Sequence, residues 1–149
     1  MVLSQKSQYA VRAVFELAKR HGSGPIKASQ VAEAEHIPIR FLENILNQLR
    51  QAGIIESVRG KEGGYRLSRA PKDVSVGEVI RVIQGLVSDI ECAEPAGSAG
   101  CPLRPGCVLL PMWTKAHRAM TDVFDGTSFQ DLADQEIQSY ECEALHYAI

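Results

Sequence analysis

Apolar residues recur at helical spacing from the start of the chain. Ala10, Ala13, Val14, Leu17 and Ala18 predict a first helix over about residues 4–20. Ser4 suits its N-cap, and Gly22 with Gly24-Pro25 ends it. A short second helix is expected over about 28–35, with Val31 and Ala32 inward and only weak caps in Lys27 and Ala28. After the tight connection Glu35-His36-Ile37-Pro38, a third helix runs from about Ile39 to Ala52. Its buried stripe is Phe41, Leu42, Ile45, Leu46 and Leu49, and Gly53 stops it.

The pattern then changes. Ile54-Ile55-Glu56-Ser57-Val58 predicts a strand, Arg59-Gly60-Lys61-Glu62-Gly63-Gly64 a glycine-rich turn, and Tyr65-Arg66-Leu67 the return strand. Ser75-Val76-Gly77-Glu78 is a capping box that opens a fourth helix bearing Val76, Val79, Ile80 and Ile83, closed by Gly85. A long helix over about 108–124 places Leu109, Met112, Trp113, Ala116, Met120, Val123 and Phe124 on one face. Thr127-Ser128-Phe129-Gln130 reads as a second capping box, starting a last helix with Leu132, Ala133 and Ile137 inward.

Helix, short helix, helix and a hairpin with a basic tip is the order of a winged helix-turn-helix. The expected fold is therefore mainly α with a small β-wing, followed by a long C-terminal helix. The apolar face of that helix is large for an appendage on so small a domain, and pairing with a second copy would bury it. The expected organisation is a DNA-binding unit at 1–85, a cysteine-rich loop at 86–107, and a dimerisation helix with a final helix at 108–149.

Composition sharpens this. At 149 residues, with 45% hydrophobic and 23% charged residues, the chain fits one ordinary globular domain with an appendage. No apolar run approaches a membrane span, and Met-Val-Leu-Ser-Gln-Lys-Ser-Gln lacks the apolar core of a signal peptide. A cytoplasmic protein, with its cysteines kept reduced, is the expectation. The net charge of −2 conceals an asymmetry. Residues 1–81 hold 13 Lys and Arg against 8 Asp and Glu, and residues 82–149 hold 3 against 10. A basic first half suits a nucleic-acid reader.

On the third helix the residues off the apolar stripe are Arg40, Glu43, Asn44, Asn47, Gln48 and Arg50. An α-helix fits the major groove, and residues near its N-terminus reach base edges. Arg40 can donate to guanine, Asn44 can pair with adenine, and Glu43 can accept from cytosine while repelling phosphate. Gln48 completes the face. Arg59, Lys61 and Arg66 near the wing turn suit phosphates or the minor groove. A phosphate-binding glycine loop is the rival for 59–64, but no helix with a Gly-Lys-Ser/Thr start follows. The partner expected is a double-stranded DNA operator bound by a homodimer, its recognition helices about 34 Å apart.

Cys92, Cys101 and Cys107 share one short segment. DNA reading does not need thiols, whereas sensing does: thiolates bind soft metals and iron–sulfur clusters, or form disulfides. Zinc would favour Cys-x-x-Cys pairs, which do not occur. Cys142 has no neighbour at metal spacing and reads as a free thiol, and His21, His36 and His146 read as surface or turn residues. A thiol–disulfide switch and a non-sensing protein-binding scaffold stay open beside the cluster. No nucleophile–base set supports an enzyme.

Leu3-Ser4-Gln5-Lys6-Ser7-Gln8-Tyr9-Ala10, Phe41-Leu42-Glu43-Asn44-Ile45-Leu46, the wing Ser57–Tyr65 and Val76-Gly77-Glu78-Val79-Ile80 resemble the IscR/NsrR/RirA-like family of winged-helix transcriptional regulators. The resemblance covers about residues 1–125. It implies a homodimeric regulator in which Cys92, Cys101 and Cys107 hold a [2Fe–2S] or [4Fe–4S] cluster that senses iron, redox state or nitric oxide. It also implies that Glu43, Asn44 and Arg59 contact DNA. Leu110 stands where IscR-like members carry a histidine ligand, and Gln8 where NsrR-like members carry an aspartate. The eight residues between Cys92 and Cys101 make a longer spacing, closer to the RirA-like pattern, while the cysteine-lacking CymR-like branch is disfavoured. Gln8, Glu91, Glu94, His117 and Cys142 are the candidates for a fourth ligand. His117 lies seven residues past Leu110, about 10.5 Å along a helix, too far to replace that histidine directly.

Overall fold

A computed structural model describes residues 3–85, Cys92 and residues 101–146, without the side chains of 141–146. Six helices and one hairpin make up these residues: α1 (Gln5–Lys19), α2 (Ala28–Ala34), α3 (Ile39–Gln51), β1 (Ile55–Val58), β2 (Gly64–Leu67), α4 (Val76–Gln84), α5 (Leu110–Gly126) and α6 (Phe129–His146). A single 3₁₀ turn, Pro71–Asp73, joins β2 to α4.

The helix starts follow capping chemistry. Ser4 accepts from the Ser7 N–H, and Ser75 from the Glu78 N–H. At α2 the cap is supplied from inside, where Gln30 Oε1 accepts from the Lys27 N–H at 3.1 Å. The stops are residues in the left-handed region: Gly53 after α3 at φ +75° and Gly85 after α4 at φ +86°. His36, in the α2–α3 turn, adopts φ +49°.

The core is one cluster. Ala10, Ala13, Val14 and Leu17 of α1 meet Leu42, Ile45, Leu46 and Leu49 of α3, Val79 and Ile80 of α4, and Ile54, Ile55 and Leu67 of the hairpin. Phe129 at the start of α6 is also fully buried in this cluster. Sequence reading placed it inside a capping box and missed its packing. Phe129 N–H donates to Val74 O at 3.1 Å and Val76 N–H to Thr127 O at 3.0 Å, so main chain clamps the ring in place.

Several expectations need correction. Phe41 is 40% exposed rather than part of the buried stripe, because its turn of α3 faces the flank of α1 and the ring packs edge-on against Tyr9. Ile137 is 58% exposed: α6 meets the buried cluster through Phe129 and Leu132, and further along it borders the end of α1 around Lys19 instead. The capping box of α6 lies one residue later than expected. Ser128 N–H donates to Asp131 Oδ2 at 2.9 Å, and Asp131 N–H donates back to Ser128 Oγ at 3.2 Å. Those Ser128 hydrogen bonds hold the Asp131 carboxyl below the usual carboxylate range. Thr127 Oγ1 donates instead to Val123 O. Only half of the first box forms, since the Glu78 carboxylate pairs with Arg69 at 2.6 Å.

The long helix divides its apolar residues. Met120 and Phe124 pack against the core of their own chain. Val108, Leu109, Met112, Trp113 and Val123 stay exposed, and α5 holds no buried residue. Its contact with α4 is close: a Cβ on Gly77 would sit 1.9 Å from Asp125 Oδ1. Arg81 Nη1 lies 2.8 Å from the same oxygen.

Charged groups tie α6 back to α1. Glu16 is buried and pairs with Lys19 at 2.7 Å and Arg20 at 3.0 Å. Lys19 also reaches Glu136 at 3.5 Å. Burial pulls the Lys19 ammonium down, but Glu16, Glu136 and Glu35 outweigh it and hold its pKa above the ordinary lysine value.

Phe129→Ala is expected to cost about 3–5 kcal/mol, as for a fully buried aromatic, whereas Ile137→Ala stays within about 0.5 kcal/mol. Urea denaturation of the two variants measures the contrast. Equal losses would mean that α6 is not docked through Phe129.

Candidate nucleic-acid interface and cysteine segment

Burial of Leu42, Ile45, Leu46 and Leu49 turns the opposite face of α3 outward. Arg40, Glu43 and Asn44 are exposed in its first two turns, with Asn47 one turn on. Gln48 is half-buried and engaged: its Oε1 accepts from Lys6 Nζ at 3.0 Å, and its Nε2 reaches Asn44 Oδ1 at 3.5 Å. Lys6 thus belongs to this surface through α1, a link that sequence spacing does not reveal.

The wing leaves α3 at Gly53 and pairs Ile55 with Leu67, Glu56 with Arg66, Ser57 with Tyr65 and Val58 with Gly64. Arg59 and Lys61 are exposed around the tip, where Gly60 takes φ +115° and its carbonyl accepts from the Gly63 N–H at 3.0 Å. Among the described residues no ion pair involves Arg40, Arg59 or Lys61. Arg66 differs, because its Nε lies 2.5 Å from Glu56 Oε1 across the hairpin. It enters any phosphate contact already partly neutralised.

A third extended segment steadies the wing. Ile26 N–H donates to Tyr65 O at 2.9 Å and Tyr65 N–H to Ile26 O at 2.7 Å. Gly64 makes the approach possible, since a Cβ there would fall 2.3 Å from Ile26 O. Gly-Gly at 63–64 was the available sequence signal, but it read as a turn alone.

Among the described cysteines, none of which forms a disulfide, Cys92 is half-buried, while Cys101 is exposed and Cys107 half-buried. Two successive turns link the latter pair, with Arg104 N–H donating to Cys101 O at 3.2 Å and Cys107 N–H to Arg104 O at 3.3 Å. Cys107 O then accepts from the Leu110 N–H at 3.4 Å, joining the segment to α5. Among the described residues no group of three or more His, Cys, Asp or Glu side chains is gathered to hold a metal ion. Residues 86–91 and 93–100, with the candidate ligands Glu91 and Glu94, lie outside the described residues, as does the side chain of Cys142. Gln8 is exposed and donates to Leu3 O at 3.0 Å. His117 is half-buried on α5. No helix among the described residues is long and apolar enough to cross a membrane.

The family model described as "Rrf2: Iron-dependent Transcriptional regulator" matches residues 3–135. The chain belongs to the Rrf2 family. Among its relatives, the HTH-type transcriptional regulator CymR of Bacillus subtilis (strain 168) is 34% identical over 143 residues, covering 94% of this chain and 97% of that one. The HTH-type transcriptional regulator IscR of Aliivibrio salmonicida (strain LFI1238) is 33% identical over 139 residues, covering 93% and 81%. The solved structure of T. potens IscR superposes with a TM-score of 0.74 at 32% identity, covering 91% of this chain and 88% of its own. The Rrf2 chain is therefore a helix-turn-helix transcriptional regulator and not an enzyme. Likeness to IscR and CymR is comparable, so descent alone does not choose the sensing chemistry.

Gly64→Ala is expected to push β2 away from Ile26 and to lower stability by about 1–3 kcal/mol, the usual cost of forcing extra volume into a packed site. Thermal or urea unfolding tests it. An unchanged midpoint would show that the Ile26–Tyr65 bridge contributes nothing.

Proposed function

We propose that this Rrf2 protein is a homodimeric repressor or activator that reads an operator with α3 and senses iron, redox state or nitric oxide through an iron–sulfur cluster. The outward face of Arg40, Glu43 and Asn44, beside a wing whose Arg59 and Lys61 enter no ion pair among the described residues, carries the DNA reading. Arg40 donates to guanine and Asn44 pairs with adenine, while Glu43 trades affinity for discrimination. Arg59, Lys61 and Arg66 set the register on phosphates, with Arg66 the weakest because Glu56 neutralises it. Gln48 contributes through Asn44 and Lys6 rather than from the front of the helix.

Residues 1–85 form the DNA-reading unit, 86–107 the cluster-binding loop and 108–149 the dimerisation region. The exposed apolar set Val108, Leu109, Met112, Trp113 and Val123 on and before α5 supports a second copy as its cover. A cytoplasmic location suits both the thiols and the DNA.

Cys92, Cys101 and Cys107 offer three of the four soft donors an iron–sulfur centre usually takes, and a cluster held there would supply a group sensitive to oxidants and to iron supply. Leu110, where IscR-like members place histidine, is the first residue of α5, and its side chain offers no donor. The fourth position is therefore weakly held or left to another group. A second reading, a thiol–disulfide switch, is favoured by the likeness to CymR, whose Staphylococcus aureus relative is also solved in an oxidized form, and by three cysteines in one segment.

Arg59→Ala or Lys61→Ala is expected to lower operator affinity across sequences and to reduce the slope of log K against log salt by about 0.9 for each lost phosphate contact. Fluorescence anisotropy at several salt concentrations measures this, and an unchanged slope would remove the wing from the interface. For the sensor, anaerobically purified protein is expected to absorb near 400 nm and to contain iron and sulfide, with Cys101→Ser losing both. Colourless wild-type protein whose operator binding responds to diamide would decide for the thiol switch.

A further inference from the structure

Ile39 and Phe41 flank Arg40 in the first turn of α3 and are 41% and 40% exposed. Among the described residues up to Gly85 they are the only large hydrophobic side chains left this open; the remainder of that class begins at Leu103. Single exposed apolar residues are ordinary. These two border the outward face of Arg40, Glu43 and Asn44 from opposite sides, about 200° apart around the start of the helix proposed to meet base edges, and Phe41 is held in a fixed pose. Its ring meets Tyr9 edge-on, with centroids 5.7 Å apart and planes at 82°. Tyr9 is in turn fixed by Gln5, whose Nε2 donates to the phenol oxygen at 3.0 Å, and by the Arg12 guanidinium 5.8 Å from its ring centroid.

We infer that Ile39 and Phe41 are specificity-determining residues that read thymine through its 5-methyl group in the major groove. The inference rests on the DNA-reading role of α3 proposed above. Thymine is the base that presents an apolar group on that edge, and aliphatic and phenyl side chains are suited to it. The remaining polar positions address guanine, adenine and cytosine, so an apolar pair completes the set. Because Ile39 and Phe41 lie on opposite sides of Arg40, they form no continuous apolar surface, which suits single methyl groups better than an extended protein partner. The bracing of Tyr9 by Gln5 and Arg12 fixes the ring before DNA arrives, so little ordering is needed on binding.

The test uses the full-length protein and operators obtained by in vitro selection, with thymine replaced by deoxyuridine one position at a time. This removes a methyl group and nothing else. Wild type is expected to bind about fourfold more weakly for each methyl that Ile39 or Phe41 covers, the value of one buried methyl-sized group. Ile39→Ala and Phe41→Ala are each expected to abolish the difference at their own position, while still shifting the operator. Equal binding of thymine and deoxyuridine operators by wild type would overturn the inference and leave the DNA reading intact. So would a selected site without thymine, or alanine variants that keep the full difference. Failure of wild type to select any DNA would overturn both.

Discussion

Burial of Leu42, Ile45, Leu46 and Leu49 fixes the rotation of α3 about its own axis, and most of the remaining architecture follows from that. A helix with one apolar stripe has only one orientation that satisfies the core. Once Leu42 and Ile45 face α1 and α4, Arg40, Glu43 and Asn44 must face out. The same constraint brings Gly53 to the C-terminus of α3 and the chain into β1, with Ile54 N–H bonded back to Leu49 O at 3.0 Å. The wing is thus held to the recognition helix by the core as well as by the chain. Loosening the stripe would disturb the proposed base contacts of α3 and the proposed phosphate contacts of the wing together.

Around this core the polar links fall where elements must not slide. Gln84 Oε1 accepts from the Ser4 N–H at 3.2 Å and from Ser7 Oγ at 2.7 Å, pinning the start of α1 to the end of α4. Arg12 Nε pairs with Glu35 at 3.0 Å, fixing α1 against the end of α2. Glu16 is the most buried charge, and two cations compensate it. Exposed pairs contribute little individually. The value of the Arg12–Glu35 pair and the Gln84 hydrogen bonds is positional, because they join separate helices, whereas the Glu16 pairs lie within α1 and its cap.

Local rules carried much of the fold. Ser4, Gly53, Ser75 and Gly85 marked helix ends by chemistry that acts within four residues, and their structure matches. The winged-helix order and the outward set on α3 were legible for the same reason. Periodicity assigns a face but not how far that face stays covered, so it placed Phe41 and Ile137 inside. Phe129 shows the opposite failure: a single aromatic beside a cap carries no periodic signal, yet the bridge between Ser75 and Ser128 delivers it to the core. Lys6 at Gln48 and Ile26 at Tyr65 are contacts between distant segments, which spacing along the chain cannot encode. The cysteines were legible as thiols in one segment, while their mutual geometry depends on tertiary arrangement and not on count.

While α6 docks on α1 and the core through Phe129, α5 meets the first half of the molecule at α4. On one side α4 packs against α1 and α3, and on the other Gly77 and Arg81 receive Asp125 of α5. In the chain, the cysteine segment joins the same two helices, leaving Gly85 and returning at Leu110 through the hydrogen bond to Cys107 O. If the proposed sensing role holds, a chemical change at Cys107 would act on the start of α5, whose packing on α4 relates it to residues 1–85. Contact alone does not make coupling; an element with two arrangements is needed. The α4–α5 contact suits that part, because it combines one glycine and a surface ion pair with the only partly buried Met120 and Phe124, whereas the α1–α3 packing relies on fully buried apolar side chains. Strain entering from the cysteine segment should therefore move α5 relative to α4 before it disturbs the recognition helix within its own core.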